Sequence, residues 1–136
     1  MPVRMRGLLL LCIGAVLSGW GCVSTGTGSR APASIVIRNS GKANLRSVSL
    51  LAPSPGGAVR HGQIAPVPAG VSQLFVRPEG AAPLPSKLTV QWISDSGVQY
   101  SRDVDLAELL KAAKKRPGAV LVFEIHDGRN VRYFLE

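Results

Sequence analysis

The feature that most constrains the fold is a series of short runs in which apolar and polar positions alternate. The clearest run is Leu88–Ile93, where Leu88, Val90 and Trp92 share one face and the residues between them share the other. Alternation with a period of two is typical of a half-buried β-strand. We therefore predict a mainly β fold with Trp92 at the centre of its core.

Similar runs recur along the chain and bring the number of predicted strands to about seven. Segments rich in glycine, proline and serine separate them, as expected for turns and loops. The other predicted strands are 35–37, 45–51, 71–77, 98–104, 120–126 and 131–135. Within the strand at 45–51, Val48 and Leu50 should face inward.

Turn-forming residues predict how the strands connect. Asp95-Ser96-Gly97 and Asp127-Gly128 indicate tight hairpin turns, in which glycine supplies a positive φ. A turn-rich stretch between the first two strands predicts that they form a hairpin with a longer loop. Longer loops are expected at Ala52–Pro68, with a short strand around Gln63-Ile64, and at Pro78–Pro85.

One helix is predicted among the strands, starting next to Asp105. Asp105 is a favourable N-cap residue, and Glu108 follows at the spacing of a capping box. Apolar residues at helical spacing define a buried face. They are Leu106, Leu109, Leu110 and Ala113. Pro117-Gly118 should end the helix.

This balance of elements indicates the fold class. A single helix late in the chain is too little for alternating βαβ units. Residues 34–136 should therefore form a two-sheet β-sandwich of about seven strands and one short helix. An immunoglobulin-like and a transthyretin-like arrangement both fit this description, and a domain of this size can fold without disulfides.

The N-terminal segment has the order of a secretory signal. Arg4 and Arg6 precede the apolar stretch Leu8–Leu17, and small residues lead from there to Cys22. A basic start, a short apolar region and small residues are typical of a signal peptide. The apolar stretch is about half the roughly 20 residues needed to span a bilayer. We predict a signal peptide over residues 1–21 rather than a transmembrane helix.

The use of cysteine supports this interpretation. The chain has two cysteines, and Cys12 lies inside the apolar stretch that leaves with the signal peptide. Cleavage before Cys22 would leave that residue as the only cysteine, at the first position of the mature chain. A lone thiol in an oxidising compartment is prone to unwanted pairing. Acylation of the sulfur would remove that hazard.

The segment Leu17-Ser18-Gly19-Trp20-Gly21-Cys22 resembles the cleavage site of bacterial lipoprotein precursors. Gly21 fits that pattern, whereas Trp20 is unusual, and Gly19 stands where leucine is expected. The resemblance implies a lipid on Cys22, and Val23 in place of aspartate implies the outer membrane. Ordinary signal cleavage nearby, with a soluble periplasmic product, is the alternative.

Residues 22–33 should connect this lipid anchor to the folded domain. The segment has no periodic apolar pattern and is rich in serine, threonine and glycine, which is typical of a flexible linker. A linker of this length has a root-mean-square reach of roughly 15–20 Å. It would lift a small domain just clear of the membrane surface.

The charge of the chain favours anionic partners. The formal net charge is +8, and it stays positive without the signal peptide. Such a charge favours lipid head groups or acidic glycans, and export makes nucleic acid an unsuitable natural partner. The candidate anionic-surface contacts are Lys111, Lys114, Lys115 and Arg116. A solvated helix end, whose cations complement the helix dipole, is the simpler interpretation.

Residues suited to catalysis or metal binding are sparse. His61 and His126 are the only histidines, and neither has a second ligand at a metal-site spacing. Asp103 and Asp105 could pair on one face of a strand, although capping by Asp105 and solvation of Asp103 explain them better. No serine lies in a nucleophile elbow. We expect neither an enzyme nor a cofactor.

These expectations combine into one functional hypothesis with one alternative. The chain should be a non-enzymatic outer-membrane lipoprotein of the cell envelope, held to the membrane by its lipid. Its β-sandwich should act as a structural module or bind an envelope protein through loops 52–68 and 78–85. The alternative is a periplasmic inhibitor or immunity protein that blocks a hydrolase.

Overall fold

The computed structural model describes residues 32, 34–77 and 80–136. The predicted signal peptide and Cys22 lie outside the described residues. This part of the chain contains eight strands and one short helix. The elements are β1 Ser34–Asn39, β2 Leu45–Ser54, β3 Gly57–Ile64, β4 Ser72–Val76, β5 Lys87–Ser94, β6 Gln99–Asp105, α1 Ala107–Lys114, β7 Val120–Ile125 and β8 Val131–Leu135.

The strands form two four-stranded sheets that pack as a sandwich, which confirms the predicted fold class. Sheet A has the order β4-β1-β7-β8, and sheet B has the order β3-β2-β5-β6. All neighbouring pairs are antiparallel except β1 and β7, which run parallel. Immunoglobulin sandwiches place their first two strands side by side in one sheet. Here β1 and β2 lie in different sheets, so the strand order differs from the immunoglobulin one.

The core lies between the sheets and consists of the inward-facing residues of both. Trp92 is 2% exposed, and its ring stacks on Tyr100 with the ring centroids 5.6 Å apart. Val48 and Leu50 are buried as predicted. On the opposite sheet Phe123 is fully buried in β7, which lies between two other strands. The alternation read from the sequence therefore identifies the core face correctly.

The helix α1 covers one side of the sandwich, beside β8. Leu106 and Ala113 are buried, and Leu109 and Leu110 pack half-buried against the core. The predicted buried face of the helix is thus confirmed. A leucine-rich face suits this place because the gap between two sheet edges must be closed with apolar groups.

The predicted capping box, in contrast, is wrong. The N-cap position is occupied by Leu106, one residue after the predicted Asp105. Asp105 still belongs to β6, and its carboxylate accepts the backbone N–H of Ala107 at 3.0 Å. Glu108 accepts a hydrogen bond from Lys111 at 2.9 Å rather than reaching back. The extended backbone that pairs Asp105 with Lys87 delays the start of the helix by one residue.

Two other connections differ from the sequence-based expectation. The first two strands do not form a hairpin, because β1 pairs with β4 and β7 while β2 pairs with β3 and β5. Most of the predicted loop Ala52–Pro68 is regular structure, since β2 continues to Ser54 and β3 runs from Gly57 to Ile64. Prolines and glycines hide this hairpin in the sequence, because they are typical of loops.

Asn39 explains why the chain leaves sheet A after β1. Its side chain is 1% exposed and donates hydrogen bonds to the carbonyls of Ala43 at 2.9 Å and Val67 at 3.0 Å. Its amide oxygen accepts the backbone N–H of Gly41 at 3.1 Å. These contacts fold the chain back on itself and direct it to the second sheet.

Replacement of Asn39 by alanine should lower the free energy of unfolding by about 2–3 kcal/mol, because buried carbonyls lose their donors. Asn44→Ala is the matched control, since the side chain of exposed Asn44 accepts a single hydrogen bond within the described chain, from the N–H of Ala69. That variant should lose about 1 kcal/mol or less. Urea unfolding monitored by circular dichroism measures both values. Equal losses in the two variants would contradict this role of Asn39.

Candidate functional site

The edges of the two sheets are the first candidate binding surfaces. Within the described residues, β4 and β8 border sheet A, and β3 and β6 border sheet B. An edge strand presents unpaired backbone N–H and C=O groups, which can pair with a strand of another chain. Charged side chains on an edge normally discourage such pairing.

Of these four edges, β4 lacks the usual protection. Arg60 lies in β3, Arg132 lies in β8, and β6 contains Arg102 and two aspartates. The sequence of β4, Ser-Gln-Leu-Phe-Val, contains no charged residue. We therefore identify β4 as the edge best suited to pairing with a further strand.

The outer face of β4 is also apolar. Leu74 and Val76 are 61% and 62% exposed, more than the other exposed large apolar residues of the described chain. A row of register partners continues from Leu74 across sheet A. This apolar row consists of Leu74, Val36, Val122 and Phe134. A strand added beside β4 would extend the row and cover Leu74.

The predicted basic cluster lies at one end of the sandwich. Lys111, Lys114, Lys115 and Arg116 are all exposed. They precede the start of β7 at Val120, which is paired with Ser34 at the start of β1. We call this the entry end, because the chain enters the domain there. Lys111 donates a hydrogen bond to the carboxylate of Glu108, and this bond and the charge of Glu108 raise the pKa of Lys111.

Asp103 and Asp105 line a groove of about 610 Å³ beside strands β2, β5 and β6. Asp103 accepts a hydrogen bond from the hydroxyl of Thr89 at 2.7 Å, and Asp105 accepts the N–H of Ala107. Each carboxylate therefore has its own donor, and both residues are exposed. Asp103 is thus paired with Thr89 rather than only solvated, and Asp105 holds the first turn of the helix from the strand that precedes it.

The two histidines lie beside different sheets. His126 follows β7, and its Nε2 is 3.5 Å from Oε1 of Glu124. A hydrogen bond from Ser40 lowers the pKa of Glu124, with smaller contributions from nearby cations. His61 lies on β3 and lines a cavity with Arg77. The described residues contain no group of three His, Cys, Asp or Glu side chains placed to hold a metal ion.

The cavity beside His61 was not anticipated from the sequence. It has a volume of about 370 Å³ and opens between the edge strands β3 and β4. Arg77, directly after β4, is 9% exposed although arginine is rarely buried without a partner. Its position at the end of a predicted strand gave no indication of burial.

Comparisons with known proteins give one structural neighbour. No protein-family model matches the sequence, and no curated protein matches it. An NMR structure of a protein from Eubacterium rectale aligns with 79% of this chain and 90% of its own chain. The sequence identity is 14% and the TM-score is 0.45. Among the described residues, no helix is both long and apolar enough to cross a membrane.

Proposed function

We propose that this protein is a non-enzymatic, lipid-anchored outer-membrane protein of the cell envelope that binds an extended segment of a partner protein. The observation that carries the proposal is the uncharged edge strand β4 with its exposed Leu74 and Val76. The sequence pattern at Cys22 supports the anchor. The binding element is thus a sheet edge rather than the loops first expected.

Strand addition accounts for both the uncharged edge of β4 and its exposed apolar side chains. Backbone hydrogen bonds to the free edge would supply affinity without regard to sequence, while side chains on the outer face would supply selectivity. Burial of apolar area contributes roughly 25 cal/mol per Å². Leu74 and Val76 are exposed enough to gain substantially from an apolar partner segment.

The position of β4 is compatible with attachment to a membrane. Val76 is paired with Ser34, so β4 ends at the entry end and its first residue, Ser72, lies farther from it. With a linker over residues 22–33, the long side of this edge would remain open to proteins beside the membrane. The basic cluster at the same end would favour anionic lipid head groups.

Site-specific photo-cross-linking in cells tests the binding edge. A photoreactive residue at Leu74 should give a discrete adduct with one envelope protein. The matched control is Val98, which is 47% exposed between β5 and β6 and should give none. Val76→Lys should reduce the adduct from position 74, because a desolvated charge opposes strand addition.

The outcome also separates the proposal from its alternative. Equal adducts from positions 74 and 98, or an adduct that Val76→Lys leaves unchanged, would reject β4 as the binding edge. A partner that proves to be a hydrolase, and that loses turnover when the purified protein is added, would favour the inhibitor or immunity function instead.

A further inference from the structure

The cavity between β3 and β4 collects positive charge. Arg60 and His61 line it from β3, and Arg77 lines it from the segment after β4. Phe75 and Gly62 form part of its apolar wall. Among the described residues, no aspartate or glutamate lines this cavity. Three basic residues therefore line one cavity that no described acid lines, and the guanidinium of exposed Arg60 also donates a hydrogen bond to Oε1 of Gln63 at 2.7 Å.

Arg77 is the least expected of the three. Arg77 is 9% exposed, and its Nη2 donates a hydrogen bond to the carbonyl of Ala82. Its Nε is buried and has no hydrogen-bond partner within the described part of the chain. A buried guanidinium without an anion is unfavourable, because the charge loses hydration and gains nothing equivalent. Burial accordingly lowers the pKa of Arg77.

His61 reports the same electrostatic environment. Its pKa is lowered by burial first and by the positive charge of Arg77 second. The cavity thus disfavours a further positive charge and favours a negative one. Gly62 contributes space, since a Cβ at that position would lie 3.3 Å from the ring of Phe75.

We propose that this cavity binds a small oxyanion, either a phosphate or a carboxylate group, with Arg77 as the main contact and Arg60 and His61 beside it. A guanidinium presents N–H donors in a planar fork that matches both groups. The site does not depend on the proposed partner binding or on the lipid anchor. It adds a ligand to a protein whose sequence shows no phosphate-binding loop.

Binding of an anion should change the titration of His61. The charged groups that face His61 are Arg60 on its own strand and Arg77 from the β4 side; its β2 neighbours, Leu50 and Leu51, carry no charge. An anion there would offset the charge of Arg77 and favour the protonated imidazole. Its affinity should therefore rise as the pH falls through the pKa of His61.

The pKa of His61 can be measured by NMR on the full chain purified in detergent, because the chain has only two histidines. Imidazole signals are titrated in inorganic phosphate, in acetate and in chloride at equal ionic strength, and His126→Gln assigns them. At saturation, phosphate or acetate should raise the pKa of His61 by about one unit relative to chloride. The signals of His126, which does not line this cavity, serve as the internal reference.

The pattern across the two anions identifies the group that is bound. A response to phosphate alone assigns a phosphate site, a response to acetate alone assigns a carboxylate site, and both together assign a general oxyanion site. No response of His61 to either anion would overturn the proposal. The same holds if His126 shifts as much as His61, because that result indicates general screening.

Substitutions locate the effect at Arg77. Arg77→Gln should abolish the response, whereas Arg46→Gln should keep it, since exposed Arg46 donates to the carbonyl of Asp95 elsewhere. If Arg77→Gln does not fold, Arg77→Lys keeps the charge, loses the fork and should bind about tenfold more weakly. An undiminished response in a folded Arg77 variant would overturn the assignment.

Glu79 is the acid nearest to Arg77 in the sequence and lies outside the described residues. Glu79→Gln tests whether this acid already neutralises Arg77. The variant should respond to the anions as the wild type does. A response that appears only after this substitution would overturn the proposal, because the natural chain would then supply its own anion.

Discussion

Trp92→Ala should lower the free energy of unfolding by about 3–5 kcal/mol, the range typical of truncating a large buried aromatic residue. Trp92 is 2% exposed on the inner face of β5, and the stack with Tyr100 would be lost with it. The cavity left behind adds to the cost, because the two sheets cannot close around it fully. Such a loss is a large part of the stability of an ordinary domain.

Circular dichroism in a urea titration is the suitable measurement, since the variant removes one of the two tryptophans of the chain. Val98→Ala is the control and should change the stability by less than about 0.5 kcal/mol, because Val98 is exposed at a turn. A loss for Trp92→Ala no larger than that of the control would place the structural core elsewhere.

Cys22→Ser should abolish incorporation of labelled palmitate and release the protein from the membrane fraction. The physical reason is that each buried methylene contributes about 0.8 kcal/mol and stable anchoring takes about two acyl chains. Serine offers no sulfur for the thioether on which the lipid is built. Attachment should therefore be lost almost completely, not gradually.

Cys12→Ser is the matched control, because Cys12 lies in the predicted signal peptide and should not affect labelling. Metabolic labelling followed by membrane fractionation measures lipid incorporation and membrane association for both variants. Label that persists on the Cys22→Ser chain would reject lipidation at this position. A wild-type chain that is exported but unlabelled would favour the soluble periplasmic alternative.

Much of the sandwich could be predicted because its central strands follow simple rules. The alternation over Leu88–Ile93 placed Trp92 in the core, and the strand predicted at 120–126 is β7, Val120–Ile125. Asp127-Gly128 marked the hairpin that joins β7 and β8. In these segments local pattern and tertiary environment agree, so one can be inferred from the other.

Most of β3 could not be recognised locally, since only its end at Gln63-Ile64 was anticipated from the sequence. β3 contains Gly57, Arg60 and Gly62, and it is identified as a strand only by its pairing with β2. The path from β1 to the second sheet depends on buried Asn39, one of whose partners, Val67, lies 28 residues further along the chain. Short loops with turn residues fit a hairpin and a sheet-to-sheet crossing equally well.

Of the candidate sites, one could be predicted from the sequence and the others could not. The basic cluster after α1 was visible in the sequence because charge is a local property. Tertiary structure decides the other two sites. The sheet order makes β4 an edge strand, and the neighbouring segments bury Arg77. An uncharged run such as Ser72–Val76 is consistent with a central strand or an edge, and its exposure is evident only from the sheet order.

The parallel pairing of β1 with β7 limits the order in which the chain can fold. Ser34 is paired with Val120 at one end of this pair and Asn39 with Ile125 at the other. The first described strand therefore needs β7, which is made near the end of this sequence. Pairings between such distant segments form slowly, because a long loop must close before they are stabilised. A chain that emerges from its N-terminus onward cannot finish sheet A until residues 120–125 are free. Sheet A therefore remains incomplete until nearly the whole chain has been made, and under the proposed export this delay would keep the sandwich from closing before the chain crosses the membrane.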